Sequence, residues 1–219
     1  MADYKWDAVV LDLDGTIADT LRDLADACNS ALIKNGYRPY NCDGYKSMVG
    51  NGAKRLVERA TREENKELVE QVLSDFIFFY NRDCLRFTKA YKGMNKILST
   101  LKKSGVKLLV VTNKPDTQAQ VITAELYGKN LFSGVYGVRE GRKTKPDPGL
   151  TLDALASVKA TPGNSLFIGD SDVDMYTAKN AGMKCAGVTW GFRSKDELIS
   201  ARADYIFESP WDILQVELL

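Results

Sequence analysis

The chain has 219 residues, 44% of them apolar and 27% charged, with a formal net charge of +1. That balance is ordinary for a globular protein and gives no electrostatic reason to expect nucleic acid or an anionic membrane as partner. There is no histidine, which excludes Ser-His-Asp triads, Cys-His pairs and histidine-ligated zinc and leaves acid–base work to carboxylate, lysine, tyrosine or cysteine.

In chain order, the first predicted element is a short buried strand, AVVL (8–11). A helical pattern follows, with Leu21, Leu24, Cys28, Ala31 and Leu32 on one face. The polar stretch GYRPYNCDGY interrupts it, and two further helical patterns cover roughly 53–60 and 64–80. No strand is expected between 17 and 86. From about residue 90 the rhythm changes to alternating helix and strand. Helical patterns over 93–104, 116–127, 148–158 and 172–181 separate the strands KLLVV (107–111), VYGV (135–138), SLFIG (165–169), KCAGV (184–188) and YIF (205–207). These strands are aliphatic without strict alternation, as when both faces of a parallel sheet are covered. The expected fold is therefore α/β, a doubly wound parallel sheet built from residues 1–16 and 87–219, with an all-helical insertion over 17–86.

The four cysteines, Cys28, Cys42, Cys84 and Cys185, form no CxxC pair. They read as reduced, buried thiols, in keeping with a cytoplasmic setting. No segment has the ~20 apolar residues of a membrane span, and MADYKWDAVV lacks the form of a signal peptide.

The chemistry sits at the strand ends. VVLDLDGTIADT (9–20) places Asp12 and Asp14 two residues apart, so both project to one side of the strand's carboxyl edge. In open α/β sheets ligands bind at that edge. Two such carboxylates repel unless a cation or shared proton relieves them; the alternative is a solvated turn with Asp capping a helix. VVTNKP (110–115) supplies Thr112 and Asn113, KTKPDP (143–148) supplies Lys145, and FIGDSDVD (167–174) supplies Asp170, Asp172 and Asp174. Oxygen ligands without His or Cys suit Mg²⁺, and a lysine with neutral donors beside them suits a phosphate. Asp172 reads as a solvated residue at a helix N-terminus.

With DLDGT (12–16), TN (112–113), KP (145–146) and GDSDVD (169–174) in order, the chain resembles the haloacid dehalogenase superfamily of phosphohydrolases. VTNKP, GNGAKRLV (50–57), GVTWG (187–191) and ADYIFESP (203–210) are similar to its phosphoglycolate phosphatase subgroup. The resemblance implies a Rossmannoid core with a helical cap at 17–86. It implies Mg²⁺, Asp12 as the nucleophile that becomes phosphorylated, Asp14 as acid–base residue, and Thr112 and Asn113 as phosphate contacts. Lys145 would neutralise charge. Asp12, the Asp14 carbonyl, Asp170 and Asp174 would form the metal site, Asp174 in support. An acid two residues after the nucleophile favours phosphate esters over halides, because an alkoxide needs a proton and a halide does not.

In the cap, Gly50, Asn51, Gly52, Lys54 and Arg55 are candidate substrate contacts: a GNG turn at a helix start offers amides to an anion, and Lys54 or Arg55 could pair with a substrate carboxylate. Both cations read equally well as solvated helix charges. Phe76, Ile77, Phe79 and Tyr80 read as cap core, and Trp190 and Arg193 receive no role. The expectation is a phosphatase acting on a small phosphorylated metabolite, 2-phosphoglycolate foremost, as a monomer or weak homodimer without nucleic-acid or membrane partners. The alternatives are a sugar-phosphate phosphatase, a pyrophosphatase, a phosphosugar mutase or an inactive phosphometabolite binder.

Overall fold

The computed structural model describes residues 6–218, so the first five residues and Leu219 of the expected core segment lie outside it. Six parallel strands form the central sheet: β1 (Ala8–Leu11), β4 (Lys107–Pro115), β5 (Gly134–Val138), β6 (Ser165–Gly169), β7 (Lys184–Val188) and β8 (Tyr205–Phe207). Their spatial order is β5-β4-β1-β6-β7-β8. β1 lies between β4 and β6, with Leu11 opposite Val110 and Ile168.

Each strand feeds two cores, which is why the sequence shows no alternation. Val9, Leu11, Leu108, Val110, Leu166 and Ile168 face one side. Ala8, Val10, Leu109, Val111 and Phe167 face the other. Helices α4 (Met94–Lys103) and α5 (Asp116–Tyr127) cover the first side through Met94, Ile97, Leu98, Leu101, Ala119 and Ile122. Helices α6 (Gly149–Ser157), α7 (Asp172–Asn180) and α8 (Lys195–Ser200) cover the second through Ala154, Leu155, Met175, Ala178 and Leu198. The last turns of the described chain are a 3₁₀ segment, Pro210–Leu218.

Between β1 and α4 the chain builds a helical layer. It comprises α1 (Leu21–Lys34), a 3₁₀ segment (Cys42–Ser47), α2 (Ala53–Thr61) and α3 (Lys66–Asp83). Tyr45, Leu56, Val57, Val69, Val72 and Phe76 are buried there and belong to the same apolar cluster as one face of the sheet. The expectation of no strand between 17 and 86 is corrected: Ala18–Asp19 (β2) pairs antiparallel with Lys89–Ala90 (β3). These two-residue strands are the outgoing and returning links between sheet and helical layer. They are too short for any periodicity, and their partners lie about seventy residues apart. Asp23, buried on α1, fastens the return by accepting the Phe87 and Thr88 amides at 3.0 and 2.8 Å. All four cysteines are free, and Cys42, expected to be buried, is exposed on the 3₁₀ segment. Among the described residues no helix is long and apolar enough to cross a membrane.

Candidate active site

Asp12 is the first residue past β1, and its amide still donates to the Ile168 carbonyl at 2.9 Å. The chain then turns sharply: the Thr16, Ile17 and Ala18 amides all point at the Leu13 carbonyl. Gly15 has φ +81°, and a Cβ there would collide with the Asp170 carboxylate. Glycine is therefore what lets this turn lie against the end of β6.

β4 continues four residues beyond the expected strand, so Thr112, Asn113 and Lys114 are all buried at its end. Asn113 Oδ1 accepts the Lys145 amide at 2.7 Å, and its Nδ2 donates back to the Lys145 carbonyl at 3.2 Å. Asn113 thus positions the Lys145 backbone. The same Nδ2 reaches the Gly50 carbonyl at 3.0 Å, tying the sheet edge to the helical layer.

Lys145 Nζ lies 2.6 Å from Asp174 Oδ1 and 2.8 Å from Asp12 Oδ1; the contact to Asp12 is an ion pair without directed hydrogen-bond geometry. Asp174 is fully committed, because its Oδ2 accepts the Ser171 amide and hydroxyl in the capping box of α7. Asp170 Oδ2 accepts the Phe192 amide at 2.7 Å. Carboxylate oxygens of Asp12, Asp170 and Asp174 lie within 4.8 Å of one another, all buried. Asp172 sits outside this group as the first residue of α7.

Burial is the main reason the Asp12 pKa rises to about 6, and the Asp174 and Asp14 charges add to it while Lys145 opposes it. Burial likewise pushes Asp170 well above the carboxylate range, with repulsion from Asp174 and Asp12 behind it. Burial works to lower the Lys145 pKa, but the charges of Asp12 and Asp174 outweigh it and hold the ammonium charged. Three crowded carboxylates facing one ammonium are short of positive charge. Their oxygen-only donor set fits a hard divalent cation.

Asp14 does not join that group. Its Oδ1 accepts the Thr20 hydroxyl at 2.6 Å, and Lys114 Nζ spans both its oxygens at 2.8 and 2.9 Å. Lys114 was not singled out from the sequence. A signal was present: it stands two residues after Thr112, the spacing that relates Asp14 to Asp12.

Asp12, Asp14, Thr112, Asn113, Gly50 and Gly52 line one cavity that opens to solvent. Lys114, Leu56, Phe76, Ile77 and Tyr80 form its other wall. Phe76, Ile77 and Tyr80, expected to be only cap core, therefore also face the cavity. They do both because α3 lies between the cap interior and the sheet edge. Arg55, a candidate substrate contact, lies elsewhere. Its side chain is exposed on α2, paired with Glu58 at 2.7 Å, and it does not line the cavity. Lys54 pairs with Glu70 on the surface, and Asn51 Oδ1 accepts from Arg59. Arg193 donates to the Val49 and Lys46 carbonyls and so clasps the loop before α2 from the sheet side; Trp190 donates to the Thr16 carbonyl.

This arrangement of a doubly wound sheet, a helical layer over one edge and a carboxylate–lysine centre agrees with what the whole chain matches. Residues 9–188 match the model of the haloacid dehalogenase-like hydrolases, and the chain belongs to that family as a phosphatase. It is 35% identical to the phosphoglycolate phosphatase of Pseudomonas putida over 84% of its length and 70% of that protein's. It is 31% identical to the phosphoglycolate phosphatase of Psychrobacter arcticus, covering 92% of this chain and 96% of that one. A Lactobacillus delbrueckii crystal structure, of a protein provisionally named a phosphoglycolate phosphatase, superposes with a TM-score of 0.91 at 29% identity, over 97% of this chain and 98% of its own.

Proposed function

We propose that this protein is a Mg²⁺-dependent phosphatase that hydrolyses 2-phosphoglycolate to glycolate and inorganic phosphate through an aspartyl-phosphate. The observation that carries this reading is the buried group of Lys145 and Asp170 around Asp12, which itself lines one cavity together with Asp14. The names of the relatives favour phosphoglycolate among small phosphate esters.

Asp12 and Asp170, with the Asp14 carbonyl and Asp174 in support, would hold Mg²⁺, which when bound supplies positive charge to the phosphoryl oxygens and relieves the carboxylate repulsion. An oxygen of Asp12 attacks phosphorus as the ester P–O bond breaks. Asp14 gives a proton to the departing alkoxide of glycolate. Water then attacks phosphorus, Asp14 takes a proton from it, and the P–O bond to Asp12 breaks to release phosphate. Lys145 offsets the charge shared by Asp12 and the phosphoryl group, and the Thr112 hydroxyl holds a phosphoryl oxygen. Asp174 and Asn113 position Lys145 from either side.

The test is phosphate release from 2-phosphoglycolate with Mg²⁺ and with chelator. Turnover should require the metal, and Asp12→Asn should lower kcat by at least about 10⁴-fold. Metal-independent turnover, or an active Asp12→Asn protein, would exclude this function.

A further inference from the structure

Lys114 is a lysine almost wholly withdrawn from solvent, its side chain 2% exposed, and it faces the cavity. Among the described residues its carboxylate partner is Asp14, the residue the proposed mechanism needs free. Below the ammonium lies the ring of Tyr80, 4.7 Å away. The Tyr80 hydroxyl is buried and makes no hydrogen bond of regular geometry, and the charge acting on it most strongly is that of Lys114. Opposite stands the start of α2. Its N-cap, Gly52, has φ +88°, no side chain caps it, and its first turn carries no acid. Gly52 and Ala53 both line the cavity. A buried ammonium, an unfilled hydroxyl and an uncapped helix start thus surround the space beside Asp14. Each favours an anion.

Asp12 and Asp14 are two residues apart, so the separation of their Cα atoms is at most about 7 Å. An anionic group at Lys114 is therefore only a few bonds from a phosphoryl group at Asp12.

Building on the phosphatase reading, we propose that Lys114, Tyr80 and the start of α2 form a subsite for a second acidic group of the substrate, and that filling it draws Lys114 away from Asp14. The preferred substrates are then short phosphate esters carrying a carboxylate or a second phosphate within a few bonds. A substrate lacking that group leaves Asp14 bound to Lys114, with both oxygens engaged, and so is turned over slowly. Selection acts on the catalytic step as well as on binding. Lys114 is a specificity residue of the sheet edge, where the sequence had pointed to Lys54 and Arg55 of the cap.

The experiment compares the Mg²⁺-loaded wild type with Lys114→Met, Lys114→Gln and Tyr80→Phe. Each is assayed for kcat/KM on 2-phosphoglycolate, ethyl phosphate and propane-1,3-diol bisphosphate, and for calorimetric binding of phosphonoacetate against ethylphosphonate. The wild type should prefer the two diacidic esters over ethyl phosphate by about 10²-fold or more, and the ratio between them tells carboxylate from phosphate. Both Lys114 variants should reduce that preference at least tenfold, and phosphonoacetate should lose its binding advantage over ethylphosphonate. Tyr80→Phe should reduce the preference less. Lys114→Gln, which retains a hydrogen bond to Asp14, decides the matter if Lys114→Met does not fold. A preference that survives either Lys114 variant, or a wild type without preference, overturns the subsite. A wild type inert on every ester would instead refute the phosphatase reading, and the phosphonoacetate comparison would still decide the subsite.

Discussion

Asp12 illustrates how a single residue is held in an unfavourable state for use. Burial disfavours its charge, and two neighbouring carboxylates add repulsion, yet the nucleophilic role proposed for it needs the ionised form. Lys145 supplies part of the compensation, and a divalent cation would supply the rest. This has a measurable consequence. A carboxyl whose pKa is higher folded than unfolded stabilises the fold while protonated, below about pH 4, and loses that contribution as pH rises through about 6. Asp170 is shifted in the same direction and adds to the effect. Metal-free protein should therefore lose melting temperature on going from about pH 5 to about pH 7.5, and Mg²⁺ should restore more of it at the higher pH. Scanning fluorimetry with chelator or Mg²⁺ at both pH values reads this. An equal Mg²⁺ shift at both would contradict it.

At the scale of elements, the links between sheet and helical layer carry the arrangement. β2 and β3 contribute two residues each, too few to hold a ribbon alone. Asp23 compensates from α1 by accepting two amides of the returning chain, one of them buried. Asp23→Ala strands both donors and should cost about 2–4 kcal/mol of unfolding free energy, while Asp23→Asn, which keeps one acceptor, should cost less. Urea denaturation measures both, and a change under about 0.5 kcal/mol in Asp23→Ala would show that β2 and β3 hold without it. The ribbon itself was not legible in the sequence, since its pairing joins distant dipeptides. The long strands were legible, because runs such as KLLVV and SLFIG are covered on both faces and so are apolar beyond their first residue, without polar alternation. Their ends were legible too. In a parallel sheet all carboxyl ends share one edge, so residues as distant as Asp12, Lys145 and Asp170 converge by topology alone. Helical positions were harder. A basic residue at the start of α2 points either at the cavity or at solvent, and Glu58 one turn on holds Arg55 at the surface. Lys114 escaped notice for a related reason: its partner is one hundred residues away.

For the whole molecule, the helical layer and one face of the sheet share a single apolar cluster, and the cavity opens along their seam. Asn113 and Arg193 cross that seam from the sheet side to the carbonyls of Gly50 and Val49. The sheet edge lines this cavity with Asp12, Asp14, Thr112, Asn113 and Lys114, and the helical layer walls it with mainly apolar side chains such as Leu56, Phe76 and Ile77. Chemistry on the rigid sheet and fit from the helical layer is a division that lets water be excluded when substrate is enclosed. The central claim is that Asp12, Lys145 and Asp170 surround one cation and one phosphoryl group. A crystal structure of the protein with Mg²⁺ and beryllofluoride, an acyl-phosphate mimic, tests it most directly. The account predicts beryllium bonded to an Asp12 oxygen, Lys145 beside its fluorides, and Mg²⁺ about 2.0–2.1 Å from oxygens of Asp12 and Asp170. Beryllofluoride on another residue, or Mg²⁺ bound away from this carboxylate group, would contradict it.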